Sequence, residues 1–406
     1  MGSRYGGKIV TDGLVLCLDA HDAKSYAGEP TTNVITYTDL DNGWSKSYQS
    51  NITYDEIDPP AGITSQVVGH TRGSNSGYWY SYGDYAPQVP STVYTVSMYV
   101  KTLDSNFRIR FYTADNSETG RVWGSLITVP NDGKWHRVVW DSFTNPSNSQ
   151  SDSLSFNFYY AGAINDASTR TWFCAPQMEA KSYATPFVAG SRSATNGWVD
   201  RSGNSNSGTL TNMIGTGVTH YRDGQVIMPI ANSYLKFDGS NDYVVTSNYS
   251  LSGSQTFEVW FMIEGGPNSP AGLLTQHDHS TYSNIGINHV SGNKLAPSIG
   301  YTDNTREYSS KTTTTTFSHN VLYHAALVYD SSAGKVIWYV NGVYDNQYTL
   351  SKTPQFAAKP FQLGRWSYNY NNYYYNGRVY KASVYSNALT AAEVLSNYNT
   401  TKSRFS

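Results

Sequence analysis

The strings "VLYHAALVYDSSAGKVIWYVNGVYDNQYTL" (residues 321–350) and "FQLGRWSYNYNNYYYNGRVYKASVYSNALTAAEVL" (residues 361–395) decide how this chain folds. In the first, Val336, Trp338 and Val340 alternate with Ile337, Tyr339 and Asn341. That two-residue period sends successive side chains to opposite faces of a sheet. Asn341-Gly342 follows at once, and because both residues tolerate positive φ the pair predicts a tight hairpin. In the second string, Val379 to Tyr385 is a further β-rich run, and Thr390-Ala391-Ala392-Glu393 is a capping box that opens a short helix. Leu389 and Val394 stand where a hydrophobic staple would close over that helix start.

Outward from these strings the chain reads as strands and turns. Leu14-Val15-Leu16-Cys17-Leu18-Asp19 is a short continuous apolar run, expected to be a buried strand. Tyr94–Thr102 and Phe107–Ala114 alternate, as do Asp132–Thr144 and Ser153–Gly162. Ser233–Ser247 and Gln255–Gly266 add two more strands. The Thr-rich Lys311–Asn320 reads equally as a strand or an extended loop. Heptads, collagen triplets and short tandem repeats are absent from the sequence. The expected class is all-β with a short C-terminal helix.

At 406 residues the chain can bury two or three cores. Only 14% of residues are charged and the formal net charge is −2, so no basic stripe offers to neutralise phosphates and nucleic acid is excluded as a partner. No apolar run reaches the length of a membrane span, so no membrane insertion is expected. Tyrosine is abundant, 35 against 14 phenylalanines, which suits pleated half-exposed surfaces and adaptable contact faces. Cys17 and Cys174 make no disulfide framework and read as small core residues. "MGSRYGGKIVTDG" lacks the apolar stretch of a secretory signal.

The ordered set "HAALVYD", "IWYVNG", "QLGR" and "NGRVYKASVYSNALTAAEV" resembles the last third of a laminin-G-like, concanavalin A-like jelly roll. "DGLVLCLDAHDAKSYAGE" resembles the opening of such domains in tailed-phage structural proteins. In that pattern a "D.SGN.N.GTL.N" segment follows within a few dozen residues; here it arrives late, as "NGWVDRSGNSNSGTLTN" at Asn196–Asn212. The delay implies an insertion, which exposed sandwich loops tolerate. The expected organisation is an N-terminal arm over 1–12, a discontinuous jelly roll over 13–29 plus 190–406, and an inserted β-sandwich over 30–189. The inserted part resembles jelly-roll carbohydrate-binding modules through "YTVSMYVK", "GKWHRV" and "APQMEAKSYATPFV".

The candidate chemistry is sparse. Glu56-Ile57-Asp58 is the string that suggests a retaining glucanase, whose two carboxylates must stand about 5–5.5 Å apart. The second glutamate such a site needs is missing, and Pro59-Pro60 breaks the strand. A structural metal site needs three or four convergent ligands, and His277-Asp278-His279, an aspartate between two histidines, reads instead as a solvated polar loop. Calcium fits the resemblance better, with Asp238, Asn241 and Asp242 as the candidate oxygen ligands and Asp19 and Asp22 near the first strand. The competing reading of Asp238-Gly239 is a plain turn.

Ligand contact is expected where aromatic platforms sit beside amides and hydroxyls. Trp79, Tyr80, Tyr82 and Tyr85 form one such stretch. Trp366, Tyr368, Tyr370, Tyr373 and Tyr374 form the other, read as an exposed rim loop with paratope-like composition. Alternation in 78–85 equally describes a strand with Trp79 in the core. The resulting expectation is a non-enzymatic virion protein of a tailed phage, a head or tail decoration or fibre-like component assembled in the host cytoplasm. Its partners would be other virion proteins, copies of itself, since closed symmetry is the rule, and surface glycans. A bacterial carbohydrate-binding protein is the alternative, and a polysaccharide-degrading enzyme the third reading.

Overall fold

A computed structural model of the chain describes residues 8–405, apart from 23, 27, 29, 37, 41–43, 47–51, 61–62, 72–76, 83–88, 116–121, 146–150, 160–169, 183, 214–233, 267–269 and 368–372. The described residues are β-strands, turns and one C-terminal α-helix. Those within 1–29, 193–218 and 229–406 form one compact unit, and those within 30–192 belong to a second. Among the described residues no helix is long and apolar enough to cross a membrane.

The first unit is a sandwich of two antiparallel sheets. One sheet runs in the order Leu14–Asp19, Asn376–Tyr385, Gln255–Ile263, Leu322–Asp330, Lys335–Val340, Val343–Thr349, with Leu235–Asp238 also joined to Asn376–Tyr385. Leu16 stands opposite Val384 and Leu18 opposite Ala382, so the first strand of the chain is completed by its last. The other sheet runs Thr209–Thr211, Tyr243–Tyr249, Lys359–Leu363, Ala271–Thr275, Ile285–Val290, Lys294–Gly300, Arg306–Glu307. Their inner faces share one apolar core, to which Leu16, Phe257, Phe261 and Trp338 contribute from one sheet and Ile287, Leu295 and Phe361 from the other. The alternation read from the sequence is what sorts these residues: Val336 and Trp338 enter this core, while Ile337 and Tyr339 pack on the opposite face.

That opposite face is covered by the helix Ala391–Lys402 (α1). Thr390 accepts from the Glu393 amide and Glu393 reaches back to the Thr390 amide, the reciprocal box expected from sequence. The buried helix residues are Val394, Asn397 and Thr401, three and then four positions apart on one stripe. Two of the three are polar, and the sheet beneath answers them. Asn397 Nδ2 donates to Glu258 and to the Tyr385 hydroxyl, each at 2.9 Å, and Trp260 Nε1 donates to Thr401 at 3.0 Å. At the hairpin, Asn341 and Gly342 take φ of 50° and 76°, the left-handed pair the dipeptide predicts. The Thr-rich segment is an extended loop: Asp345 accepts from the amides of Thr314 and Thr315 at 2.6 and 3.0 Å.

The second unit also has two principal sheets. One is built on Arg108–Asp115, Ser151–Tyr159, Gly77–Tyr82 and Trp44–Lys46, and the other on His136–Thr144, Val93–Thr102, Arg170–Glu179, Val68–Thr71 and Ile52–Tyr54. Met98, Phe107, Phe111, Trp140, Phe156 and Phe173 are in its core. Cys17 and Cys174 are both buried and unpaired.

Candidate functional site

The outer face of the loop-covered sheet in the first unit is polar and buried. The backbone explains how the loops come so close. A Cβ at Gly272 would stand 2.1 Å from the Arg365 carbonyl oxygen, and one at Gly300 would stand 1.8 Å from the Tyr282 carbonyl oxygen. Bare glycines therefore let the segments around 277–284 and 365–367 lie directly on the strands.

Where these segments meet, rings gather on Trp366. His277, His279, Tyr308 and Tyr373 lie with ring centroids 5.4–5.6 Å from it. The Arg306 guanidinium sits over three rings, 4.7 Å from Tyr282, 5.4 Å from Tyr308 and 5.4 Å from Trp366. Tyr282, Tyr308, Tyr373 and His279 are half-buried, so they present their edges to solvent. Tyr282 and Tyr373 hold φ of 44° and 70°. A bulky side chain in the left-handed region costs roughly 1–2 kcal/mol, and such strain is retained where surrounding structure or function demands it.

The polar groups under the rings are organised by Asp278. Its carboxylate is fully buried, pairs with Lys359 at 2.5 Å and accepts from Ser280 and Thr281. Burial pushes this carboxyl up, but Lys359 and the hydroxyls outweigh it and hold it below the usual range. His277 is also fully buried. Burial first, and then the Arg306 charge, lower its pKa to about 4, against the opposing pull of Asp278. The Ser283 main chain lies near enough to favour the charged ring, yet neither ring nitrogen meets a partner at normal hydrogen-bond geometry. The solvated loop expected over 277–279 is therefore corrected: only His279 reaches solvent, because Lys359 and Trp366 close over the other two.

The exposed rim expected at Trp366–Tyr375 needs the same correction. Trp366 is only 2% exposed and Tyr374 is buried beside Arg365, which stacks over Tyr243 at 3.9 Å. Trp366 is a platform covered by its neighbours, and Tyr373 remains half-buried above it. Tyr368 and Tyr370 lie outside the described residues, as does Tyr85. Trp79, Tyr80 and Tyr82 fall in the strand Gly77–Tyr82 of the second unit. Arg306, Tyr282, Tyr308 and Lys359 were not singled out from the sequence. The available signal was "GYTDNTREY", a polar turn flanked by aromatic residues with one arginine at its return.

The candidate calcium ligands lie together in a turn. Asp238 Oδ1 accepts from the amides of Ser240 and Asn241 at 2.7 and 3.3 Å, and Asp242 accepts from the Asp238 amide at 3.0 Å. Both carboxylates thus close a turn, the reading that Asp-Gly chemistry favours. Asp19 pairs with Arg404 and Asp22 with Arg201. Among the described residues no three His, Cys, Asp or Glu side chains converge as a metal site. Glu56 is ion-paired with Arg170, and Asp58 offers its carbonyl to Trp135 Nε1 at 3.1 Å.

A second buried polar group lies under α1. Glu258, His324 and Lys381 line a cavity of ≈ 10 Å³ with Asn397 and Thr401, room for about one water. Burial raises Glu258 to about 7 and lowers His324 to about 3.

No curated protein sequence matches the chain. Among solved structures, the binding domain of Paraclostridial Mosquitocidal Protein 1 is similar at 15% identity and a TM-score of 0.39, over 51% of this chain and 50% of that one. Domain 4 of AbnA, a GH43 extracellular arabinanase from Geobacillus stearothermophilus solved with arabinotriose, is similar at 19% identity and a TM-score of 0.37, over 50% and 94%. The botulinum neurotoxin serotype D binding domain is similar at 10% identity and a TM-score of 0.37, over 49% and 47%. The chain thus spans about half the length of the two toxin domains. Residues 238–395, which hold both the ring cluster and the start of α1, match the laminin-G-type family described as the concanavalin A-like lectin/glucanases superfamily.

Proposed function

We propose that this chain is a non-enzymatic binding protein whose first unit contacts glycans through the rings around Trp366. The carrying observation is that two half-buried tyrosines of that cluster are held at positive φ, Tyr373 against the buried Trp366 and Tyr282 against His279 and Arg306. Packing that upholds such strain leaves half-buried ring edges beside the hydrogen-bonding groups of Ser280, Thr281 and His279, the mixture a sugar face and its hydroxyls require. Catalysis lacks comparable support: Glu56 is neutralised by Arg170, and Glu258 is shut beneath α1.

The test is retention of the full chain on an array of bacterial and plant oligosaccharides, with Tyr282→Gly as the variant. We expect affinity to fall by about tenfold or more, while stability stays within about 1 kcal/mol, because released left-handed strain offsets the lost ring contacts. Unchanged affinity in the variant, or no glycan retained by the parent chain, overturns the reading.

The setting we propose is the virion of a tailed phage, as an oligomeric head or tail decoration or fibre-like component with other virion proteins as neighbours. Its support is the resemblance of "DGLVLCLDAHDAKSYAGE" and the late "NGWVDRSGNSNSGTLTN" to phage structural proteins. Mass spectrometry of purified particles checks it, and absence of the chain from the particle sinks it.

A further inference from the structure

We propose that Arg306 is an anion-recognition residue and that the glycan met by this face is acidic, bearing a carboxylate or a sulfate ester. The inference rests on the binding reading above and narrows its ligand class.

Arg306 carries a permanent charge and five N–H donors. In this protein the side chain is half-buried, yet among the described residues none of its nitrogens donates to an acceptor or pairs with a carboxylate, and Nη1 is buried without a partner. Among the described residues the groups that receive it are the faces of Tyr282, Tyr308 and Trp366. Such contacts contribute about 0.5–1 kcal/mol each at exposed sites, less than an unpaired, partly desolvated charge costs.

The lack of a partner is not a lack of carboxylates nearby. Glu307, the next residue, points to the other side of the strand, where it takes Lys311 at 2.7 Å, Ser310 at 2.9 Å and the Tyr301 hydroxyl. Asp278 is held by Lys359 at 2.5 Å and Asp303 by Lys352 at 2.8 Å. Each local acid already has its own lysine, and the arginine is left to the rings. His277 behind Trp366 is fully buried, and among the described residues it makes no hydrogen bond to the guanidinium. A planar fork held flat against aromatic faces keeps its edges for a planar or tetrahedral oxyanion. Carboxylates and sulfates supply that partner, and neutral sugars do not.

The experiment is calorimetric titration of the full chain with oligogalacturonate, with the same oligosaccharide after carboxyl reduction, and with a 6-sulfated galactose oligosaccharide of equal length. We expect one or both charged forms to bind about ten- to a hundredfold tighter than the reduced form, with the advantage shrinking as salt is raised. An advantage confined to the uronate assigns the carboxylate, and one confined to the sulfated sugar assigns the ester. Arg306→Gln should bring the ratio of charged to reduced affinity to about one, and Arg306→Lys should keep part of it. Thermal unfolding of both variants confirms that they are folded. Equal binding of charged and reduced forms by the parent chain, or a preference that survives Arg306→Gln, overturns the inference while leaving the glycan reading intact. Failure of all three sugars to bind defeats both.

Discussion

The two outer faces of the first sandwich both hold buried polar groups, but they are covered in different ways. One lies under α1, whose Asn397 and Thr401 hydrogen-bond to Glu258, Tyr385 and Trp260 of the sheet. The other lies under loops, with a fully held Asp278, a half-buried Arg306 that meets no acceptor among the described residues, and two tyrosines at positive φ. A regular helix satisfies its own backbone and brings side chains at fixed spacing, so its polar stripe can be matched group for group. Loops approach through glycines and leave groups exposed, strained and unpaired, which is where binding residues concentrate. The helix-covered face therefore reads as the structural one and the loop-covered face as the functional one.

The largest test of that contrast removes the anchor of the helix. Trp260 stacks on Tyr398 with ring centroids 5.4 Å apart and planes within 9°, and it also touches His324 and Phe405. Trp260→Ala should cost about 3–5 kcal/mol, read as a lower urea midpoint, since it opens a cavity beneath α1 and removes the indole's hydrogen bond to Thr401. Glycan affinity of the folded fraction should not follow. A loss below about 1 kcal/mol would mean that the helix merely rests on the sheet, and the division of labour between the faces would fail.

The same division marks what could be read from sequence. The helix-covered face was legible because local rules produce it. Alternation at Val336–Val340, Asn341-Gly342 and the Thr390–Glu393 box each act within a few residues, and each appears as expected. Lys311–Asn320 was ambiguous because β-branched threonines favour strands, while the decisive acceptor, Asp345, comes from a distant hairpin. The loop-covered face depends almost wholly on such distant contacts. Composition marked Trp366 as surface because its neighbours are tyrosine and asparagine. Its burial is decided by His277, Arg306 and Tyr308 folding over it, and no local pattern encodes that. Arg306 was invisible for the same reason: an arginine in a polar turn is ordinary until the structure shows its neighbouring acids bound to Lys311, Lys352 and Lys359.

A smaller effect, in the pH dependence of stability, sharpens the contrast. Glu258 is raised from 4.5 to about 7, chiefly by burial, with Lys381, Asn397 and Tyr385 opposing. The folded state therefore binds its proton more tightly than the unfolded chain does. Its contribution is complete below about pH 4.5 and is lost as pH rises through about 7. His324, across from it at 3.9 Å, is lowered from 6.5 to about 3 by burial and then by Lys381. Its contribution is present above about pH 6.5 and is lost as pH falls toward 3. Between pH 4.5 and 6.5 the two slopes oppose, so the helix-covered face is buffered against acid. Each slope amounts to at most about 3 kcal/mol. The histidines of the loop-covered face act in one direction. His277 and His289 are each lowered to about 4 by burial, so both oppose acidification through this range, and the Asp278 carboxyl, lowered from 3.8, opposes it only at pH below that. Urea unfolding from pH 7.5 to 4.5 should show the difference. Glu258→Gln should steepen the loss of stability on acidification, and His324→Gln should make it shallower over the same range. The slope is the readout, because either substitution also shifts stability at every pH by disturbing Lys381. Parallel curves for the parent chain and both variants would remove the buffering, and with it the physical distinction between the two faces.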